Sequence, residues 1–133
     1  MFIDRMLNQN QTPVLEQMMR FTESRQSLLA EDIANVSTPN FRQKDLSVEQ
    51  FQKQLSEKTA EQATAAPGEV DFNNISMDTQ NPNDGILFHD GNNRSIEKLM
   101  TDQAKNALMH NVAVELLRQQ YQTMDMALKE KPG

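Results

Sequence analysis

Residues 96–129 read IEKLMTDQAKNALMHNVAVELLRQQYQTMDMALK, and this stretch decides the architecture. Steps of four and three pick out Ile96, Met100, Gln103, Ala107, His110, Val114, Leu117, Tyr121, Met124 and Leu128 without interruption. Mostly apolar positions at that spacing form the seam of a coiled-coil-type helix. Ser95 stands where an N-cap belongs, and Glu97 places an acid in the first turn. A continuous helix over the stretch is about 51 Å long at 1.5 Å per residue. A compact domain of 133 residues has a radius of gyration of about 14 Å, hence a diameter under about 40 Å. The helix outruns such a globule, so the expected fold is mainly α and elongated.

A second apolar line, Ala104, Leu108, Val112 and Leu116, lies off that seam. One partner helix cannot cover both lines, so burial against other subunits is the sharper reading than a wide core face within one bundle. Nine Met residues suit adaptable packing against unlike neighbours.

Working outward, the other long helix lies at the opposite end of the chain. Thr12 as N-cap and Pro13 at the first helical position predict a helix from Thr12 to about Asn35. Val14, Leu15, Met18, Phe21, Leu28, Leu29 and Ile33 fall on one side of it, with Arg25 and Asp32 inside the stripe. The chain therefore divides into an N-terminal helix within 1–36, a polar and partly extended middle over 37–94, and a C-terminal helix within 95–133.

In the middle, Thr38-Pro39-Asn40-Phe41 predicts a tight turn, with Asn40 tolerating positive φ. A short helix is expected around Ser47 to Leu55, and a frayed helix or linker from Ser56 to Gly68. Val70, Phe72 and Ile75 are spaced as short extended pieces, and Asn81-Pro82-Asn83-Asp84-Gly85 before Ile86-Leu87-Phe88 suggests a small hairpin. This middle is expected to add little to the core. Pairing the two terminal helices then closes a loop of about 60 residues, at about 3.6 kcal/mol plus a constant. With Arg25, Asp32, Gln103 and His110 on the seams, the isolated chain is expected to be marginally ordered, with assembly completing its folding.

Composition agrees with that picture. Apolar residues make up 37%, with six Phe, one Tyr and no Trp, while Asn and Gln supply 26 of 133 positions. Such a chain is short of material for a tightly packed globule. A net charge of −6 gives no general attraction to nucleic acid or an anionic membrane. The absence of Cys removes disulfides, thiolate metal sites and thiol catalysis. No run approaches the roughly 18 apolar residues of a membrane span, and the first residues show no cleavable secretory signal.

The sequence offers no catalytic constellation. His89 and His110 lie on different elements; the first reads as a solvated loop residue and the second as a packed helix residue. Glu31-Asp32 reads as a solvated face rather than an acid–base pair. No Gly-rich phosphate loop can be built from four glycines. The reading is a non-enzyme that needs no cofactor and no metal.

The run Arg25-Gln26-Ser27-Leu28-Leu29-Ala30-Glu31-Asp32-Ile33-Ala34-Asn35-Val36-Ser37-Thr38-Pro39-Asn40-Phe41-Arg42 resembles the N-terminal signature of the bacterial flagellar axial (rod and hook) proteins. Gly91-Asn92-Asn93 leading into a terminal helix resembles that family too. Asp32, Asn40 and Phe41 depart from its usual Asn, Gly and Tyr. The resemblance implies a structural subunit of the basal-body rod in the cell envelope, exported through the flagellar type III apparatus. Its implied partners are copies of itself, other axial proteins, the base-ring adaptor and the export apparatus. It further implies that the terminal helices pair as a coiled coil, with Ile96, Met100, Val114, Leu117, Tyr121 and Met124 meeting Leu15, Met18, Leu29 and Ile33. The turn carrying Asn35, Thr38, Pro39 and Phe41 would set where the chain leaves its first helix. A small acidic helical chaperone or adaptor of a secretion system is the competing reading for a chain of this charge and size.

Overall fold

The computed structural model describes residues 12–65, 70–75, 79–80 and 95–130. In chain order these form α1 (Thr12–Ala34), β1 (Asp45–Leu46), α2 (Val48–Thr64), β2 (Thr79–Gln80) and α3 (Ile96–Glu130). The fold is mainly helical, with long helices towards both ends of the chain. The two short strands pair antiparallel, Asp45 opposite Gln80 and Leu46 opposite Thr79. The hairpin suggested over 81–88, and His89, lie outside the described residues.

Helices α1 and α3 make the most extensive contact between described elements. Glu16 meets Tyr121, Thr22 meets His110, and Gln26 meets Asn106. Partners descend on α3 as they ascend on α1, so the pair is antiparallel. At 1.5 Å per residue α3 is about 52 Å long and α1 about 35 Å. Ser95 Oγ accepts the Lys98 N–H at 3.2 Å and so caps the long helix.

A neighbouring face of α1 is also covered, and here the middle of the chain does more than its polarity suggests. Phe21 stacks on Phe51 of α2, with ring centroids 4.2 Å apart and planes 14° from parallel. Leu46, Phe72 and Ile75 close the same cluster, and Val14, Met18 and Leu28 line it from α1. Five buried apolar side chains are worth roughly 1.5–3 kcal/mol each before entropy is counted. Val70, Phe72 and Ile75 form no strand; Phe72 and Ile75 are core residues instead. A mostly polar segment can do this because only one side chain per few residues has to point inward.

Helix α2 runs to Thr64, past the expected end near Leu55. Ser47 caps it, its Oγ accepting the Gln50 N–H at 3.2 Å. The Ala, Glu, Gln and Lys that follow are good helix formers. The helix ends at Ala65, whose N–H reaches the Glu61 carbonyl at 2.9 Å, two residues before Pro67.

Two polar ties fold the chain back along α1. The N–H of Lys44 donates to Asp32 Oδ1 at 3.0 Å. The Arg25 guanidinium grips Asp45 through both carboxylate oxygens, at 2.9 and 3.1 Å, with each side chain 12% exposed. Asp32 is thus buried, not part of a solvated face. Arg25 and Asp32 interrupt the apolar stripe because they hold the returning strand. Between Asp32 and Lys44, Asn40 has φ 64°, the left-handed conformation that Asn accepts at little cost.

Candidate assembly interface

The residues of α3 that face α1 are Leu99, Asp102, Asn106, Ala113 and Leu117, all buried, continued by half-buried His110, Gln120 and Met124. This seam also advances by threes and fours, but it is rotated by about a sixth of a turn from the expected one. Leu117, His110 and Met124 belong to both. Ile96, Met100, Val114 and Tyr121 lie at the edge of this seam or off it, 39%, 56%, 38% and 49% exposed, although the Tyr121 hydroxyl still reaches Glu16 of α1. On α1, Leu15 and Leu29 are buried and Ile33 is half-buried, whereas Met18 packs into the cluster with Phe21 and Phe51. The expected pairing of these residues across one seam is therefore corrected in part.

Polar atoms account for the rotation. The frame read from spacing is the more apolar of the two, since Leu99, Asn106, Ala113 and Gln120 stand where it has Met100, Ala107, Val114 and Tyr121, so apolar content does not account for the frame that faces α1. Asn106 chooses: its Nδ2 donates to the Thr22 carbonyl at 2.8 Å and to Gln26 Oε1 at 3.0 Å. Burying that amide elsewhere would forfeit both bonds. Thr22 Oγ1 donates to the Met18 or Met19 carbonyl, at 2.8 and 3.0 Å, and meets His110 Nδ1 at 2.8 Å. Since the hydroxyl has one proton, committing it to a carbonyl makes His110 Nδ1 the donor. Ala113, fully buried, lets the two backbones approach closely.

Near the far end of the pair, the Tyr121 hydroxyl donates to Glu16 Oε1 at 3.2 Å. That hydrogen bond, then desolvation, then the carboxylate charge raise the phenol above its ordinary range.

The turn residues occupy the other end. Asn35 Nδ2 donates to the Glu31 carbonyl at 2.9 Å, and Thr38 Oγ1 donates to Asn35 Oδ1 at 3.2 Å. Phe41 N–H closes the turn on the Thr38 carbonyl at 3.3 Å. Thr38 and Pro39 are exposed, Asn35 and Phe41 half-buried.

Among the described residues, the strongly exposed large apolar side chains are Ile96, Met100, Leu108, Val112, Val114, Leu116, Tyr121, Met126 and Leu128, and every one is on α3. The difference between the long helices follows from their neighbours. Helix α1 packs against both α3 and the Phe21–Phe51 cluster, whereas α3 is covered by described residues on one side only. The second apolar line of the sequence, Leu108, Val112 and Leu116, lies on the far side of α3 from α1. Such an uncovered surface marks an interaction site. Among the described residues no group of three metal-ligating side chains occurs, and no helix is long and apolar enough to cross a membrane.

The chain matches no protein-family model. It is similar to the flagellar basal body rod protein FlgB of Bacillus subtilis, with 23% identity over 121 residues, covering 86% of this chain and 89% of the relative.

Proposed function

We infer that this chain is a structural subunit of the bacterial flagellar basal-body rod, of the proximal type that FlgB represents. The observation that carries the reading is the similarity to FlgB over nearly the whole of both chains. Support comes from the run Arg25–Arg42 ending in a turn with Asn40 at positive φ, and from apolar surface concentrated on one terminal helix. The subunit is exported through the flagellar type III apparatus. It packs against copies of itself and other axial proteins, and meets the base-ring adaptor at the foot of the rod. Ile96, Met100, Val114 and Tyr121 contact neighbouring subunits, while Leu15, Leu29, Leu117 and Met124 hold the subunit's own helix pair. The turn Asn35, Thr38, Pro39 and Phe41 sets where the chain leaves its first helix and folds back along it.

Mass spectrometry of purified hook–basal bodies from the source bacterium tests the reading. This chain is expected there at a few copies per basal body. Its absence from intact basal bodies, with abundant protein in the cytosol, overturns the rod assignment in favour of a secretion chaperone or adaptor.

A further inference from the structure

Two open concavities, of about 360 and 420 Å³, follow one another along a single flank of the α1–α3 pair. Ser27, Ala30 and Ala107 make the first shallow and small-walled, and among the described residues Glu23 is the only charged side chain lining it. Met19, Val114 and Tyr121 continue the trough. The exposed half of the heptad pattern on α3 therefore forms one wall of a groove shaped for another helix. About a third of a turn further round α3, away from both α1 and this groove, runs the ridge Leu108, Val112 and Leu116. Its members are 65%, 46% and 44% exposed, and Lys105 stands beside it. Neither Glu23 nor Lys105 has an ion-pair partner among the described residues.

We propose that the groove of one copy receives the Leu108–Val112–Leu116 ridge of a second copy of this chain, with Lys105 of the incoming copy opposite Glu23 of the receiving one. The proposal rests on the rod reading and names which surfaces of the subunit meet. Groove and ridge are different patches of one molecule, so the contact is heterologous. The receiving copy keeps a free ridge and the incoming copy a free groove, so the contact propagates rather than closing into a two-fold dimer. A spacing of four along the ridge matches helix packing in which i±4n rows enter a neighbour's groove. The pairing also occupies both apolar lines of α3 at once, which no single intramolecular helix does.

The chain has no cysteine, so introduced thiols report without background. Ser27→Cys and Leu108→Cys chains are prepared separately, then mixed at high concentration and treated with a short bis-maleimide; the same two variants are co-expressed and cross-linked in intact basal bodies. The proposal expects a covalent dimer from the mixture and at least tenfold less from either variant alone. A Leu108→Cys homodimer at the same yield shows a ridge-on-ridge contact and overturns it. No mixed dimer in either setting also overturns it, and if the chain is still found in basal bodies the rod reading survives. A mixed dimer of the purified chain, with none of the chain in basal bodies, leaves the contact standing and removes the rod reading. As a second measurement, Glu23→Lys and Lys105→Glu each lower the cross-linking yield severalfold and the double reversal restores it. Failure of the double reversal to restore the yield removes the Glu23–Lys105 pairing.

Discussion

At the residue scale, three side chains carry arguments that can be checked singly. Tyr121 is the only tyrosine, so its ionisation is read directly from ultraviolet absorbance. Its phenol is raised in the folded chain by Glu16, so the contact contributes stability below the ordinary phenol range near about 10. That contribution is lost as pH climbs through the folded value. The expected titration midpoint is higher for the folded chain than for the chain in denaturant, and Glu16→Gln brings it down; equal midpoints in the wild type refute the contact. Asn40, at φ 64°, is expected to accept Gly without loss of thermal stability. Asn40→Val should cost about 1–2 kcal/mol, because a β-branched residue resists the left-handed region. Asp32 was legible only as a charge in the wrong place, since the amide it binds belongs to Lys44, twelve residues on.

At the scale of elements, the decisive matter is which frame of α3 faces α1. Leu99 is fully buried and Met100 is 56% exposed, although the heptad spacing selects Met100. Leu99→Asp places a charge in the interface without a partner and is expected to abolish cooperative unfolding. Met100→Asp leaves far-ultraviolet circular dichroism and the melting temperature within error of wild type. The reverse ranking would restore the heptad frame read from spacing. The middle element has its own test. Phe51→Ala removes the stack on Phe21 and should cost about 3–5 kcal/mol. Hydrogen exchange is expected to accelerate over Val48–Thr64 and to change much less across the α1–α3 contact. Uniform acceleration would show that the two sides of α1 unfold as one unit.

At the scale of the whole molecule, the chain is a helix pair with a small second core on one side and bare apolar surface on the other. Leu117→Asp, at a 9% exposed position in the helix pair, is expected to eliminate assembly into the basal body and with it swimming. Normal swimming in that mutant counts against the helix pair as the assembling unit. The middle segment changes what is expected of the isolated chain. The Phe21–Phe51 cluster and the ties from Arg25 and Asp32 shorten the loop that the helix pair must close, so the entropic cost of that pairing is divided among several contacts. Dilute monomer is accordingly expected to retain α1 and α2 while the uncovered stretch of α3 gains order on assembly.

The sequence by itself determined the two long helices, the cap at Ser95, the tight turn with Asn40 at positive φ, and the presence of more apolar surface on α3 than one partner helix covers. Each of these is encoded within a few residues, or in a periodicity that one helix imposes on its own side chains. Only the tertiary structure decided which apolar line meets α1, that Met18 packs into the Phe21–Phe51 cluster, that Phe72 and Ile75 are core rather than strand, and that Asp32 is buried. Those outcomes depend on partners far apart in sequence, such as Asn106 with Thr22 and Phe51 with Phe21. Apolar content favours the frame read from spacing, so the hydrophobic effect, being non-directional, does not account for the frame that faces α1. A buried amide is not indifferent, because its hydrogen bonds form in one rotation of the helix and are lost in the next.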